Sequence, residues 1–152
     1  MKPVEIVQRF VAALEAGNVE MAAQYLSDDF TFSGLTSLPI MREQYLQVLR
    51  GLISAFPDLR FNLRDIREEA GVIKVTAHIT GTQRGELVLP LPDLPAVRPT
   101  GRRISLPDET QIFTVRGSKI SFIKLLLFPG GGFQGLYRQL GVRLPVPENV
   151  TG

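Results

Sequence analysis

The chain opens on a helical period. Val7, Phe10, Val11 and Leu14 recur at i, i+3, i+4 and i+7, one face of an amphipathic helix that Pro3 starts and Gly17 stops. Asn18 reads as the cap of a second, short helix reaching Tyr25 and Leu26, with Glu20 near its positive end. Ser27-Asp28-Asp29 reads as a break, and Phe30-Thr31-Phe32 as a short strand. Tyr45, Leu49, Leu52, Ile53 and Phe56 mark a third helix that Pro57 ends. From Leu59 the period falls to two, with Phe61 and Leu63 alternating with Asn62 and Arg64. Glu69-Ala70-Gly71 signals a turn. Ile73, Val75, Ala77 and Ile79 then alternate with Lys74, Thr76, His78 and Thr80, which predicts a half-buried strand running to about Gly85. Pro90, Pro92, Pro95, Pro99 and Gly101 exclude helix and central strand, leaving a loop stiff enough to frame an entrance. Strands are expected at 104–106, 109–115 and 120–128, the last closing on an apolar run, 125–128, that belongs inside or at an interface. Gly130, Gly131 and Gly132 turn the chain into a helix from Phe133 to Gly141.

Helices followed by antiparallel strands indicate an α+β fold. The expected form is a cone: a curved, mostly antiparallel sheet wrapped around three N-terminal helices, with a short C-terminal helix and a cavity between. The 152 residues suit one domain over 1–142, with 143–152 as a tail carrying Pro145 and Pro147. A net charge of +2, without a basic run interleaved with aromatics, argues against a nucleic-acid partner. The Arg102-Arg103 pair reads as a solvated pair. The absence of cysteine removes disulfides, thiolate catalysis and thiolate metal sites. No apolar run approaches the roughly 18 residues that span a bilayer. Glu5, Gln8 and Arg9 interrupt the N-terminal apolar residues, so no signal peptide is read and a cytoplasmic location is expected.

A set of fragments in order resembles the SnoaL-like polyketide cyclases of the nuclear-transport-factor-2-like superfamily. They are Leu14-Glu15-Ala16-Gly17-Asn18, Leu26-Ser27-Asp28-Asp29-Phe30, Phe56-Pro57-Asp58-Leu59, Gly81-Thr82-Gln83-Arg84-Gly85, Pro99-Thr100-Gly101-Arg102 and the stretch from Phe113 to Ile120. The closing helix Gly135-Leu136-Tyr137-Arg138-Gln139-Leu140-Gly141 matches the family's Gly-Leu-Leu-x-Gln-Leu-Gly. The resemblance implies a small-molecule pocket and chemistry without metal or cofactor, an aspartate serving as general acid and base in an aldol closure. That aspartate is missing here. Counting forward from Ile120 puts it at Phe128, and counting back from Gly135 puts it at Gly132.

Glu109 and Gln111 share one face of a strand, at positions where the resembling cyclases carry pocket-lining polar residues. Glu109 is thus the candidate proton carrier and Gln111 a donor to a substrate oxygen; the plainer alternative leaves Glu109 solvated at the strand's start. Phe113, on the same face, is a pocket wall or core. Phe30, Phe32 and Tyr45 are further candidates for an apolar lining. Lys124 either snorkels to solvent or pairs with Glu109, which would keep that acid ionised. His78, the single histidine, lies on a polar face, solvated or at a dimer interface. Asp65, Arg64 and Asp108 supply the residue types of an epoxide hydrolase without a matching spacing. The triglycine run lacks the Gly-Lys-Ser/Thr ending and the βαβ setting of a phosphate loop. The sequence therefore points to a protein that binds or converts a carbonyl-containing or apolar small molecule, with lyase or isomerase-type acid/base chemistry. The alternative is a non-catalytic binding or interaction module. A homodimer through the sheet is expected in either case.

Overall fold

The computed structural model describes residues 1–144. Helix α1 (Pro3–Glu15) buries Ile6, Val7, Phe10, Val11, Ala13 and Leu14 along one stripe. Helix α2 (Val19–Ala23) is capped by Asn18, whose Oδ1 accepts from the Met21 amide at 3.0 Å. Strands β1 (Leu26–Ser33) and β2 (Ile40–Met41) precede α3 (Arg42–Ala55), which stops before Pro57. Then come β3 (Arg64–Glu69), β4 (Val72–Ala77), β5 (Thr80–Thr82), β6 (Arg103–Ser105), β7 (Glu109–Arg116), β8 (Lys119–Leu126) and α4 (Gly132–Gln139).

Six strands form one sheet in the order β2-β1-β8-β7-β4-β3; β5 and β6 pair as a separate ribbon. All pairings are antiparallel except β1 with β8. The fold is the expected α+β cone. One sheet face carries Ile73, Val75, Phe113, Val115, Ile120 and Ile123, all buried with the helices in a single core. The other face carries Lys74, Thr76, Thr110, Ile112, Phe122, Lys124 and Leu126, which are exposed or half-buried. Among the described residues no helix is long and apolar enough to cross a membrane.

Four details differ from the sequence reading. Ser27, Asp28 and Asp29 lie within β1 rather than breaking the chain. Leu26 pairs with Ile120 and Thr31 with Phe122, so the acidic residues bulge to solvent, where Asp29 binds Arg116 at 3.0 Å. Strand β3 starts at Arg64 rather than Leu59, because Asn62 (φ 47°) leaves the extended region. The long strand expected from Ile73 to Gly85 breaks at His78-Ile79, where the chain passes from the sheet to the ribbon. The apolar run 125–128 is buried only at Leu125; Leu126, Leu127 and Phe128 are exposed, because β8 ends at Leu126 and the chain turns away.

The proline loop is packed down. Leu87, Leu89, Leu91 and Val97 are buried, and Leu87 and Val97 exchange backbone hydrogen bonds. Gln83, fully buried, fastens its far end: Nε2 donates to the Val97 and Gly85 carbonyls, and Oε1 accepts from the Thr100 amide and hydroxyl. Helix α4 ends as expected, with Gly141 at φ +85°. Of the expected tail, Leu144 is still buried, and 145–152 lie outside the described residues.

Candidate functional site

A cavity of about 100 Å³ lies between α3, the ends of β1, β7 and β8, the β5–β6 ribbon and α4. Its wall is almost wholly apolar. Val48, Leu49 and Leu52 come from successive turns of α3, Ile104 from the ribbon and Leu106 from just after it, and Phe133 and Leu136 from α4. Into this lining β7 delivers Glu109 and Gln111, only 6% and 8% exposed. They share a face because they are two apart on a strand. Gln111 Nε2 donates to Glu109 Oε2 at 2.7 Å. Burial pushes the Glu109 carboxyl above its ordinary value, and the Gln111 hydrogen bond opposes part of that rise. Among the described residues no cation pairs with Glu109.

Tyr45, from the first turn of α3, stacks on Phe32 at 4.7 Å between centroids; both line the cavity. Burial and the nearby Glu109 charge push its phenol well above the usual range. Its hydroxyl forms no hydrogen bond among the described residues, so it remains a free donor beside the acid.

The structure thus brings together Glu109, Gln111, Phe32 and Tyr45 and sets the other candidates apart. Phe30 is fully buried beneath Tyr45, with centroids 5.1 Å apart, and does not reach the cavity. Phe113 shares the strand face of Gln111, yet sits under α1 with its ring edge-on to Phe10 at 6.3 Å. It is core. Lys124 is exposed on the opposite face, paired across to Ile112, so it neither pairs with Glu109 nor lines the cavity. Partners across two strands share a face, so that outcome was decidable only once the β7–β8 register was known. Of the two positions counted for the family aspartate, Gly132 lines the cavity and Phe128 is exposed. One of the two counted positions therefore puts a glycine of α4 in the wall of the cavity that Glu109 also lines.

Outside the cavity, Arg64 lies between Asp65, at 3.7 Å, and Asp108. The carboxylate–arginine–carboxylate set is present, but on the surface. Asp108 also meets His78, which in turn meets Ser105. The sequence reading missed Ser105, since a serine at a strand end carries no periodic signal. It also missed Phe133 and Leu136, whose i, i+3 spacing is the cue that α4 has an inward face.

The model of the SnoaL-like domain matches residues 7–123. The chain belongs to the SnoaL-like domain family. This SnoaL-like chain is also similar in fold to AclR, a candidate hydroxylase from Streptomyces galilaeus, with a TM-score of 0.74 at 19% identity over 91% of this chain and 95% of that one. A candidate SnoaL-like polyketide cyclase from Jannaschia sp. CCS1 gives 0.66 at 19% identity, over 82% and 83%. A hypothetical protein with a ketosteroid isomerase-like fold from Catenulispora acidiphila, solved with trimethylamine, gives 0.65 at 15% identity, over 97% and 98%. No curated protein matches the sequence.

Proposed function

We propose that the SnoaL-like cavity takes a small, largely apolar molecule bearing a carbonyl group, and that Glu109 moves a proton to or from it. The observation that carries this reading is one carboxyl group, buried in an apolar wall, with a glutamine and, among the described residues, no cation beside it. Such an acid holds its proton to higher pH than a solvated one. As the neutral acid, Glu109 donates to a developing alkoxide or enol oxygen. As the carboxylate, it removes a proton from carbon next to the carbonyl. Gln111 holds one of its oxygens and leaves the other for the ligand, while Tyr45 offers an O–H to the ligand's oxygen. This is lyase or isomerase-type chemistry that needs no cofactor. A test reaction is conversion of cyclohex-3-enone to conjugated cyclohex-2-enone, read by ultraviolet absorbance. Glu109→Gln is expected to lose at least about 100-fold in rate, the usual size of a general acid/base contribution. Equal rates in both proteins would remove the catalytic role.

The second reading is a binding module that has kept the shell and lost the family acid. The cavity volume favours it: about 100 Å³ falls below the roughly 300–1,000 Å³ of most ligand sites. For either reading we propose a homodimer through the outer sheet face. Phe122, Ile112 and Leu126 place apolar surface there among threonines, Lys74 and Lys124, without a helix among the described residues to cover it.

A further inference from the structure

Two strands that wall the cavity bend at the same level. Ala77 of β4 pairs with Glu109 of β7, and Thr80 of β5 pairs with Ser105 of β6. Between these pairs His78 and Ile79 face Leu106, Pro107 and Asp108, and the Leu106 amide donates to the Ile79 carbonyl at 2.9 Å. Side chains alternate through Ala77, His78 and Ile79, whereas 106–108 belong to no strand and reset the alternation at Pro107. Ile79, Leu106 and Glu109 line the cavity. Their neighbours His78, Ser105 and Asp108 come out together on the other side of the wall.

There His78 Nδ1 lies 3.1 Å from Asp108 Oδ1, and His78 Nε2 lies 2.9 Å from Ser105 Oγ. The Arg64 guanidinium holds Asp108 from behind, and Asn62 Nδ2 donates to the His78 carbonyl at 2.8 Å. Hydrogen bonds from Arg64 and His78 keep the Asp108 carboxyl below the usual range, so it is an acceptor only. The proton between Asp108 and the ring therefore sits on Nδ1. In the neutral imidazole Nε2 then has a free lone pair, and the Ser105 hydroxyl donates to it. The strand has no need of that hydroxyl as an anchor. Gln139 already holds the Ser105 backbone on both sides, accepting from its amide at 2.7 Å and donating to its carbonyl at 2.8 Å.

We propose that Ser105, His78 and Asp108 form a nucleophilic acyl-transfer site on the outer side of the cavity wall, taking activated acyl esters. Ser105 Oγ attacks the ester carbonyl carbon, and its proton passes to His78 Nε2. The tetrahedral adduct collapses, the ester C–O bond breaks, and the alcohol leaves with the proton from Nε2. Water then attacks the acyl-serine, giving one proton to Nε2, and the released serine oxygen takes it back as the carboxylic acid departs. Asp108 acts through the ring, as a positioning residue. The Ser105 amide is occupied by Gln139, so it does not serve an oxyanion; each such donor is worth about 100- to 1,000-fold. Hence the preference for aryl esters, whose leaving groups need less help. Ser105 is exposed, and the His78 and Asp108 side chains keep 35% and 39% of their surface, so the site is open to substrate and water.

The test uses the full chain and p-nitrophenyl acetate, following p-nitrophenolate release, intact mass and the acetylated peptide. A burst of about one equivalent with acetyl on Ser105 is expected. Ser105→Ala removes it, and His78→Gln slows it at least about 100-fold, each with a melting temperature near that of the parent. Asp108→Asn slows it too and moves the ring proton from Nδ1 to Nε2, read in the imidazole ¹⁵N shifts, which a merely structural role would leave unchanged. A fluorophosphonate supplies a test needing no variant: it labels Ser105 in the native chain and not in urea. Absence of Ser105 acylation, labelling that survives urea, or an unchanged rate in folded His78→Gln would each overturn the proposal.

Discussion

Asp108 and Glu109 are consecutive residues whose carboxyl groups lie on opposite sides of one wall, the first bound to Arg64 and His78 at the surface, the second buried against Gln111. Their environments push their acidities apart, Asp108 down and Glu109 up. Below the ordinary carboxyl range Glu109 carries its proton in both the folded and the unfolded chain. As pH rises the unfolded carboxyl ionises first, and stability is lost until the folded one ionises as well. Glu109→Gln escapes this loss. Its melting temperature relative to the parent is expected to climb from about pH 4 upwards and then level off. Asp108 runs the other way: its contribution is present above the ordinary range and is lost as pH falls through its lowered value, so Asp108→Asn costs stability near neutrality and nothing in acid. Thermal melts across pH read both trends, and a flat Glu109→Gln difference would contradict the burial argument.

Tyr45→Phe separates binding from folding. The hydroxyl has no partner among the described residues, while the ring keeps its stack on Phe32. The variant should melt within a degree or two of the parent. Affinity for an aromatic carbonyl such as benzaldehyde should fall about five-fold, the value of one hydrogen bond near 1 kcal/mol. Calorimetric titration measures it.

Phe113→Ala should cost about 3–5 kcal/mol in urea unfolding, since the ring is fully buried against Phe10. Its effect belongs to stability, and rate constants measured on the folded fraction should hold. Phe32→Ala is expected to alter both.

Gln83→Ala removes four hydrogen bonds and strands the Gly85 carbonyl and the Thr100 amide. A loss of at least about 2 kcal/mol is expected, with faster amide exchange concentrated in 87–101. Uniformly faster exchange would show that the loop is not held at this point.

A Phe122→Asp change places a charge in the middle of the outer sheet face. Light scattering at micromolar concentration should report a dimer for the parent and a monomer for the variant. A monomeric parent would refute the proposed interface.

Elements were legible where one period dominated: α1 from its i, i+3, i+4 stripe, β4 and β7 from alternation, α4 from its terminal glycine. Glu109 and Gln111 were legible as a shared face, because two-residue spacing fixes that without tertiary knowledge. Lys124 and Phe113 were not, since register decides one and sheet curvature the other. The corner at His78 was hidden for a related reason. Alternation continues smoothly through Ala77, His78 and Ile79, so nothing local announces that the strand changes partners there. Ser105 and Asp108 reach His78 from 27 and 30 residues away, and Arg64 reaches Asp108 from 44, so only the fold could assemble them.

The reset of alternation at Pro107, between Ser105 and Glu109, also makes the site unforgiving of length. Adding or removing one residue in this stretch would break the phase between the ribbon and β7, so that Ser105 and Asp108 no longer emerge beside His78 while Glu109 faces the cavity. Point substitutions can tune either side alone, but insertions and deletions strike both at once. Lineages descending from this chain should therefore vary freely in the proline loop before it, and keep the count of residues between Ser105 and Glu109 fixed.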